Sequence, residues 1–251
     1  MRHTGVTIYG IRTPLISEGD DLPAIAADSL CAALAAERLE LKPTDIVGVT
    51  EAVVAKAQGN FAHIDDIAAD IRDKYGDNTV GVVFPILSRN RFLNTLKGVC
   101  LGAKRVCVLL QLPHDEVGNP IMDIDLFDEL EDELIGLLSA DEFRRIIGGY
   151  RHPFTGVDYI ELYSQISDNI EIYLSHDPRD ILKLTPHVLV AEVHSRERTK
   201  TRLLRAKAKT VYTLADILRE PRNGSGYNPD YGVMGSNMST GVKLKLFPRD
   251  C

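Results

Sequence analysis

Few features of this sequence point to a cofactor, a membrane or a polyanion. Its four cysteines, Cys31, Cys100, Cys107 and Cys251, form no Cys-x-x-Cys pair. A zinc site or a disulfide framework is therefore not the expected reading. Cys31 and Cys100 sit in apolar helical runs and Cys107 in an apolar strand-like run, so free buried thiols in a reducing compartment are expected. A basic excess is also missing. The formal net charge is −7, which argues against a nucleic-acid or anionic-membrane binder, since these normally carry a basic face. The longest apolar runs are too short and too interrupted to span a bilayer. Met1-Arg-His-Thr-Gly5 lacks the apolar core of a signal peptide, and the expected location is the cytoplasm. Internal repeats and low-complexity linkers are absent. So are a Walker loop, a Gly-x-Gly-x-x-Gly turn, a Gly-x-Ser-x-Gly elbow and a His-Glu-x-x-His pair.

What is present is an alternation of apolar strands and amphipathic helices. Strands are expected at Val6–Tyr9, Ile46–Thr50, Val80–Phe84, Arg105–Leu110, Ile170–Leu174, Val188–Val193, Val211–Thr213 and Val242–Phe247. Pro23 opens an alanine-rich helix to about Leu39. Further helices are expected over Ile64–Tyr75, Arg91–Leu101, Asp141–Ile147, Ile160–Ile166 and Arg198–Lys207, the last of them basic. The acidic stretch Asp123–Glu133 carries leucines at helical spacing and reads as a solvated helix face. This rhythm predicts an α/β fold with mixed sheets, in a single domain with a sub-lobe around 85–150. The glycine-rich stretch Asn223–Gly232 is the expected mobile loop.

Candidate chemistry rests on polar clusters at turns. Lys56, beside Gln58-Gly59, could place a point charge on a phosphate, or snorkel on the surface. Ser88-Arg-Asn-Arg91 follows a strand and precedes a helix, where α/β proteins bind anions; a capping loop fits equally well. Asp115 and Glu116 lie on a turn that could hold magnesium or be a plain reverse turn. Asp158 and Glu161, at i and i+3, could bind metal or favour a helix start. His194 and Ser195 follow another strand without forming a triad.

Several stretches, in order, resemble one family. Ile11-Arg-Thr-Pro-Leu-Ile-Ser-Glu-Gly-Asp-Asp-Leu22, Glu51-Ala-Val-Val-Ala-Lys-Ala-Gln-Gly59, Gly156-Val-Asp158 and Val233-Met-Gly-Ser-Asn237 are similar to segments of the γ-glutamyl ligases that extend the deazaflavin coenzyme F-420. The resemblance implies a ligase-type α/β fold in an intertwined homodimer. It implies an amide ligase that uses GTP or ATP with Mg²⁺ or Mn²⁺. Such an enzyme phosphorylates a small-molecule carboxylate, and the amine of L-glutamate then attacks it. By position, Lys56 would contact nucleotide phosphate. Thr13, Pro14, Leu15, Ile16 and Glu51 would line the nucleotide site, which Met234, Gly235, Ser236 and Asn237 would approach. Asp158 would bind metal.

The departures fall on the metal side. The family's Ser-Asp-Thr motif should lie near Glu192–Ser195, and its aspartate is absent; Glu192 or His194 stands there. Glu161 takes the place of an asparagine that follows Gly-Val-Asp. Ser88–Asn119 has no counterpart. A rebuilt metal set would draw on Asp115, Glu116, Glu161 and His194 beside Asp158. Arg89 and Arg91 would help Lys56 neutralise transferred phosphoryl oxygens, and Arg89, Arg91 or Arg196 would hold an anionic glutamate. A folate-type γ-glutamyl ligase, or a catalytically silent nucleotide-binding regulator, is the alternative.

Overall fold

The computed structural model describes residues 5–88, 92–115, 117–233 and 243–245, with backbone alone for 243–245 and for Glu51. Its centre is a six-stranded sheet ordered β4-β5-β3-β2-β6-β7. The strands are β2 (Thr79–Val83), β3 (Arg105–Gln111), β4 (Leu138–Ser139), β5 (Ile170–Ser175), β6 (His187–Val190) and β7 (Thr210–Thr213). All neighbours pair in parallel except β4, a two-residue antiparallel edge on β5. A small second sheet pairs β1 (Phe61–His63) with β8 (Lys243–Lys245), also in parallel.

Side chains of a strand alternate between faces, and here both faces are apolar. Val80, Val82, Val106, Val108, Leu110 and Leu189 face one core. That core is covered by α3 (Ile64–Tyr75), α4 (Phe92–Gly102), α6 (Ala140–Ile147) and α7 (Tyr159–Ser164). Val83, Cys107, Leu109, Val188 and Val190 face a smaller core with Leu203 of α8 (Arg196–Arg205) and Ile181 of the 3-10 helix Pro178–Lys183. Burial on both faces is why these strands read as continuous apolar runs.

The expected central elements are present within a residue or two, except that β6 ends at Val190, three residues before the expected Val193. The acidic stretch is α5 (Ile124–Glu129) followed by a 3-10 turn, Glu131–Leu134. Ser139 and Glu142 cap α6 reciprocally, and Gly148 ends it at φ +72°. Two expectations fail at the N-terminus. Val6–Tyr9 and Ile46–Thr50 form no strand in this chain, and Val6, Ile8 and Ile46 are exposed at 91%, 88% and 93%. Between them α1 (Leu22–Glu37) forms as expected, capped by Asp21, yet buries none of its residues. Apolar pattern alone forms no sheet without a partner strand. For the same reason Cys31 on α1 is exposed, against expectation, while Cys100 and Cys107 are buried and free. Burial pushes those two thiols up, to about 12 and about 11. Among the described residues no helix is long and apolar enough to cross a membrane.

Candidate active site at the carboxyl edge of the sheet

The order of the parallel strands reverses direction between β2 and β6. The chain leaves β2 for α4 on one face and leaves β6 for α8 on the other. In open parallel sheets such a switch point opens a crevice at the carboxyl ends of the strands, where ligands bind. On one side of it lies the end of β2. Phe84 leaves the strand at φ +52°, and the buried Tyr163 hydroxyl takes the Ser88 N–H at 3.1 Å and donates to the Ile86 carbonyl at 3.4 Å. Arg89 and Arg91 follow directly in sequence and lie outside the described residues. On the other side lies the end of β6. Glu192, 8% exposed, accepts the Thr199 hydroxyl. Arg196 donates to the Val193 carbonyl at 2.6 Å, and its Nε is buried without a hydrogen-bond partner. His194 and Ser195 are exposed, and Ser195 caps α8 without a side-chain bond.

α2 (Glu51–Ala57) carries Lys56 half-buried in its last turn. Gly59 turns the chain at φ +65°, a conformation that favours glycine. The N-terminal loop lies against this turn. Gly19 donates its N–H to the Ala57 carbonyl at 2.9 Å. The Glu18 side chain crowds Gly59 so closely that a Cβ there would stand 2.5 Å from its carboxylate oxygen. The structure thus brings together the two stretches expected to share a nucleotide. Of the first, Ile16 is buried while Thr13, Pro14 and Leu15 are exposed. β8 touches α2, so the chain returns to that helix after Met234–Asn237, which lie outside the described residues.

α3 runs down to the start of β2, so its first turn also belongs to the carboxyl edge. Sequence reasoning passed over its buried carboxylates. Asp66 accepts the Ser225 hydroxyl and the Asn223 amide, the latter at 2.8 Å. Asp70 accepts the Leu218 N–H at 3.0 Å and pairs with Lys74 at 2.7 Å. Gly226 donates to the Phe61 carbonyl. The stretch expected to be a mobile loop is therefore bolted to α3 and β1. Glycine content gave the turn, but hydrogen bonds to buried carboxylates hold it in place.

Of the expected metal residues, Asp115, Asp158 and Glu161 take part in local structure. Asp158 caps α7 through the Glu161 N–H at 2.9 Å and pairs with Arg144 at 2.6 Å. Glu161 is exposed and accepts from Gln165. Asp115 is buried and forms the reverse turn, taking the N–H groups of Val117 and Asn119 at 3.0 and 2.8 Å and the Asn119 amide at 3.1 Å. Glu116 lies outside the described residues. Among the described residues no three His, Cys, Asp or Glu side chains gather as a metal-ligand group.

Around Asp158 the fold adds groups that carry no sequence signal. The Tyr150 hydroxyl is buried without a hydrogen-bond partner. Burial chiefly, and then the charges of Asp158 and, further down, Asp115, push its proton affinity up. Buried His152 accepts the N–H groups of Phe154 and Thr155 on Nδ1 at 3.2 and 3.3 Å, which fixes the neutral ring with its proton on Nε2. That bond pair closes the loop leading to Gly156-Val-Asp158.

A family model described as F420-0:Gamma-glutamyl ligase matches residues 10–251, nearly the whole chain. The chain belongs to this family. No curated protein and no solved structure matches it. The four resembling stretches thus lie inside a match that also takes in Ser88–Asn119, which has no counterpart legible in the sequence, and Glu192–Ser195, where the family motif departs. Membership in a γ-glutamyl ligase family makes glutamate and a carboxylate acceptor the family's reactants.

Proposed function

We propose that this ligase joins L-glutamate to a small-molecule carboxylate in the cytoplasm, at the expense of GTP or ATP, through an acyl phosphate. The observation that carries this reading is the closure of the N-terminal loop over the Lys56–Gly59 turn. It gathers two separate family-like stretches into one cradle with a lysine at its rim. In the proposed reaction a carboxylate oxygen of the acceptor attacks the γ-phosphorus and the nucleoside diphosphate leaves. The glutamate amine then attacks the acyl carbon, phosphate leaves, and the amine gives up a proton. Lys56 would neutralise phosphoryl charge, and Arg196, at the mouth of the switch-point crevice, would hold a carboxylate of glutamate. Mg²⁺ or Mn²⁺ enters as the expected companion of the nucleotide, and no step is assigned to a protein-held ion.

The test is glutamate-dependent nucleotide hydrolysis across a panel of carboxylate acceptors, with thermal shift by GTP and ATP beside it. Lys56→Ala should weaken nucleotide binding by about tenfold, the scale of one charge-assisted contact, and leave the unliganded melting temperature in place. Equal nucleotide binding by Lys56→Ala would remove that residue from the site. A second reading is favoured by the engagement of Asp158 with Arg144: a nucleotide-binding regulator without turnover. Nucleotide binding with no glutamate-dependent hydrolysis for any acceptor would select it.

The family-like homodimer also belongs to this proposal. We infer that a second copy covers the exposed apolar residues of the first fifty.

A further inference from the structure

The acidic chain carries one concentrated basic element. Between Arg196 and Lys209 it has seven basic residues and one acidic residue, Glu197. Near the end of this run, Arg202, Arg205 and Ala206 line a cavity of about 290 Å³ together with Arg179 of the neighbouring 3-10 helix. One carboxylate serves two of these three guanidiniums. Asp177 accepts Arg179 on both oxygens and Arg202 on one, at 3.3 Å. Those bonds, led by Arg179, hold its carboxyl down at about 2, so Asp177 stays ionised. The next carboxylate, Asp180, is taken up elsewhere: it pairs with Lys183 at 2.7 Å and accepts the Ser175 hydroxyl at 2.6 Å. Arg205 makes no ion pair among the described residues.

Three positive charges against one negative leave the cavity two charges short of neutrality. Like charges around a shared concavity repel one another unless an anion joins them, and guanidinium forks match phosphate oxygens in pairs. Leu203 pins this stretch of α8 to the sheet, fully buried. Asp177 fixes Arg179 and Arg202, leaving Arg205 free to close on a ligand. Along the helix axis Arg202 and Arg205 lie roughly 9 and 13 Å beyond Arg196, at 1.5 Å per residue.

We propose that Arg179, Arg202 and Arg205 form an anion site for a compact phosphate-type group carrying at least two negative charges, separate from the Lys56 cradle. Free phosphates and phosphate esters share that chemistry. The site does not depend on the ligase reading.

The test titrates the full chain with inorganic pyrophosphate by calorimetry at constant ionic strength, with glycerol phosphate as the ester arm and chloride as the blank. Saturable pyrophosphate binding is expected, weakened about tenfold in Arg205→Gln through the loss of one charge-assisted contact. Arg179→Gln, on a different element, should show the same loss and stands in if Arg205→Gln fails to fold. Lys56→Ala should keep the binding. Tighter binding of glycerol phosphate than of pyrophosphate would mark an ester as the ligand, and the reverse a free phosphate. Absence of saturable binding would overturn the proposal. So would binding unchanged in the folded arginine variants, or binding lost in Lys56→Ala, which would place the anion at the nucleotide cradle. Failure of glutamate-dependent hydrolysis would leave the anion site standing.

Discussion

At the scale of single residues, the site is held by polar groups whose roles depend on their neighbours. His152 is the clearest. Its Nδ1 accepts two backbone N–H groups, so a proton there would set three donors against one another. Burial, the largest influence, lowers its pKa below 6.5, opposed by the nearby Asp115 charge; the other close group is the Tyr159 ring, edge-on at 5.6 Å. The folded state therefore binds this proton less readily than the unfolded chain. The stabilisation is complete above the unfolded value of about 6.5 and is lost progressively as pH falls from there toward the lower folded value. Melting temperature should decline with acidification in that window. His152→Asn, whose amide oxygen can still accept, should remove that part of the decline. Parallel pH profiles of the two proteins would show that His152 carries none of it. Asp158 lies in a motif that is legible in sequence, and its neighbours add what the letters do not: its two oxygens take the Glu161 N–H and the Arg144 guanidinium.

At the scale of elements, the approach of α3 to α4 rests on Gly98 and Gly102, four residues apart on one helix face. A Cβ on Gly102 would stand 2.4 Å from the Ala68 carbonyl oxygen, and one on Gly98 would stand 2.8 Å from the Ile67 side chain. Alanine would gain about 1 kcal/mol of helix propensity. Overpacking costs about 1–3 kcal/mol, and at Gly102 the obstacle is backbone, which cannot rotate away. Gly102→Ala should therefore destabilise the protein in urea unfolding. Gly48→Ala, with open space around it, should be close to neutral. A Gly102→Ala variant as stable as the parent would mean the helices can separate freely. Sequence showed both helices within two residues because their apolar periodicity is local. It did not show that α3 and α4 share a face, nor that α8 lies on the other, since both helices are amphipathic and either face would bury them.

At the scale of the whole molecule, most of residues 5–50 stand apart from the core, Ile16 excepted. Val6, Ile8, Leu15, Ile46 and Val47 are exposed, and α1 buries nothing. Apolar surface of this extent normally marks an interface. The 27.8 kDa chain should run as a dimer by light scattering, and Ile46→Asp should shift it toward monomer. A wild-type monomer at micromolar concentration would count against a second copy covering these residues.

Local pattern along the chain establishes the alternating α/β rhythm and the family. Those signals are periodicity, capping and short motifs, all local along the chain. Only the tertiary structure decided where the strand order reverses, and so where the crevice lies. Only it showed that Asp66 bolts down a glycine-rich loop 157 residues away in sequence, and that three arginines from two elements line one cavity. Each of these depends on which surfaces meet across long stretches of chain. Side-chain chemistry permits such meetings, but the packing of both faces of one sheet selects among them.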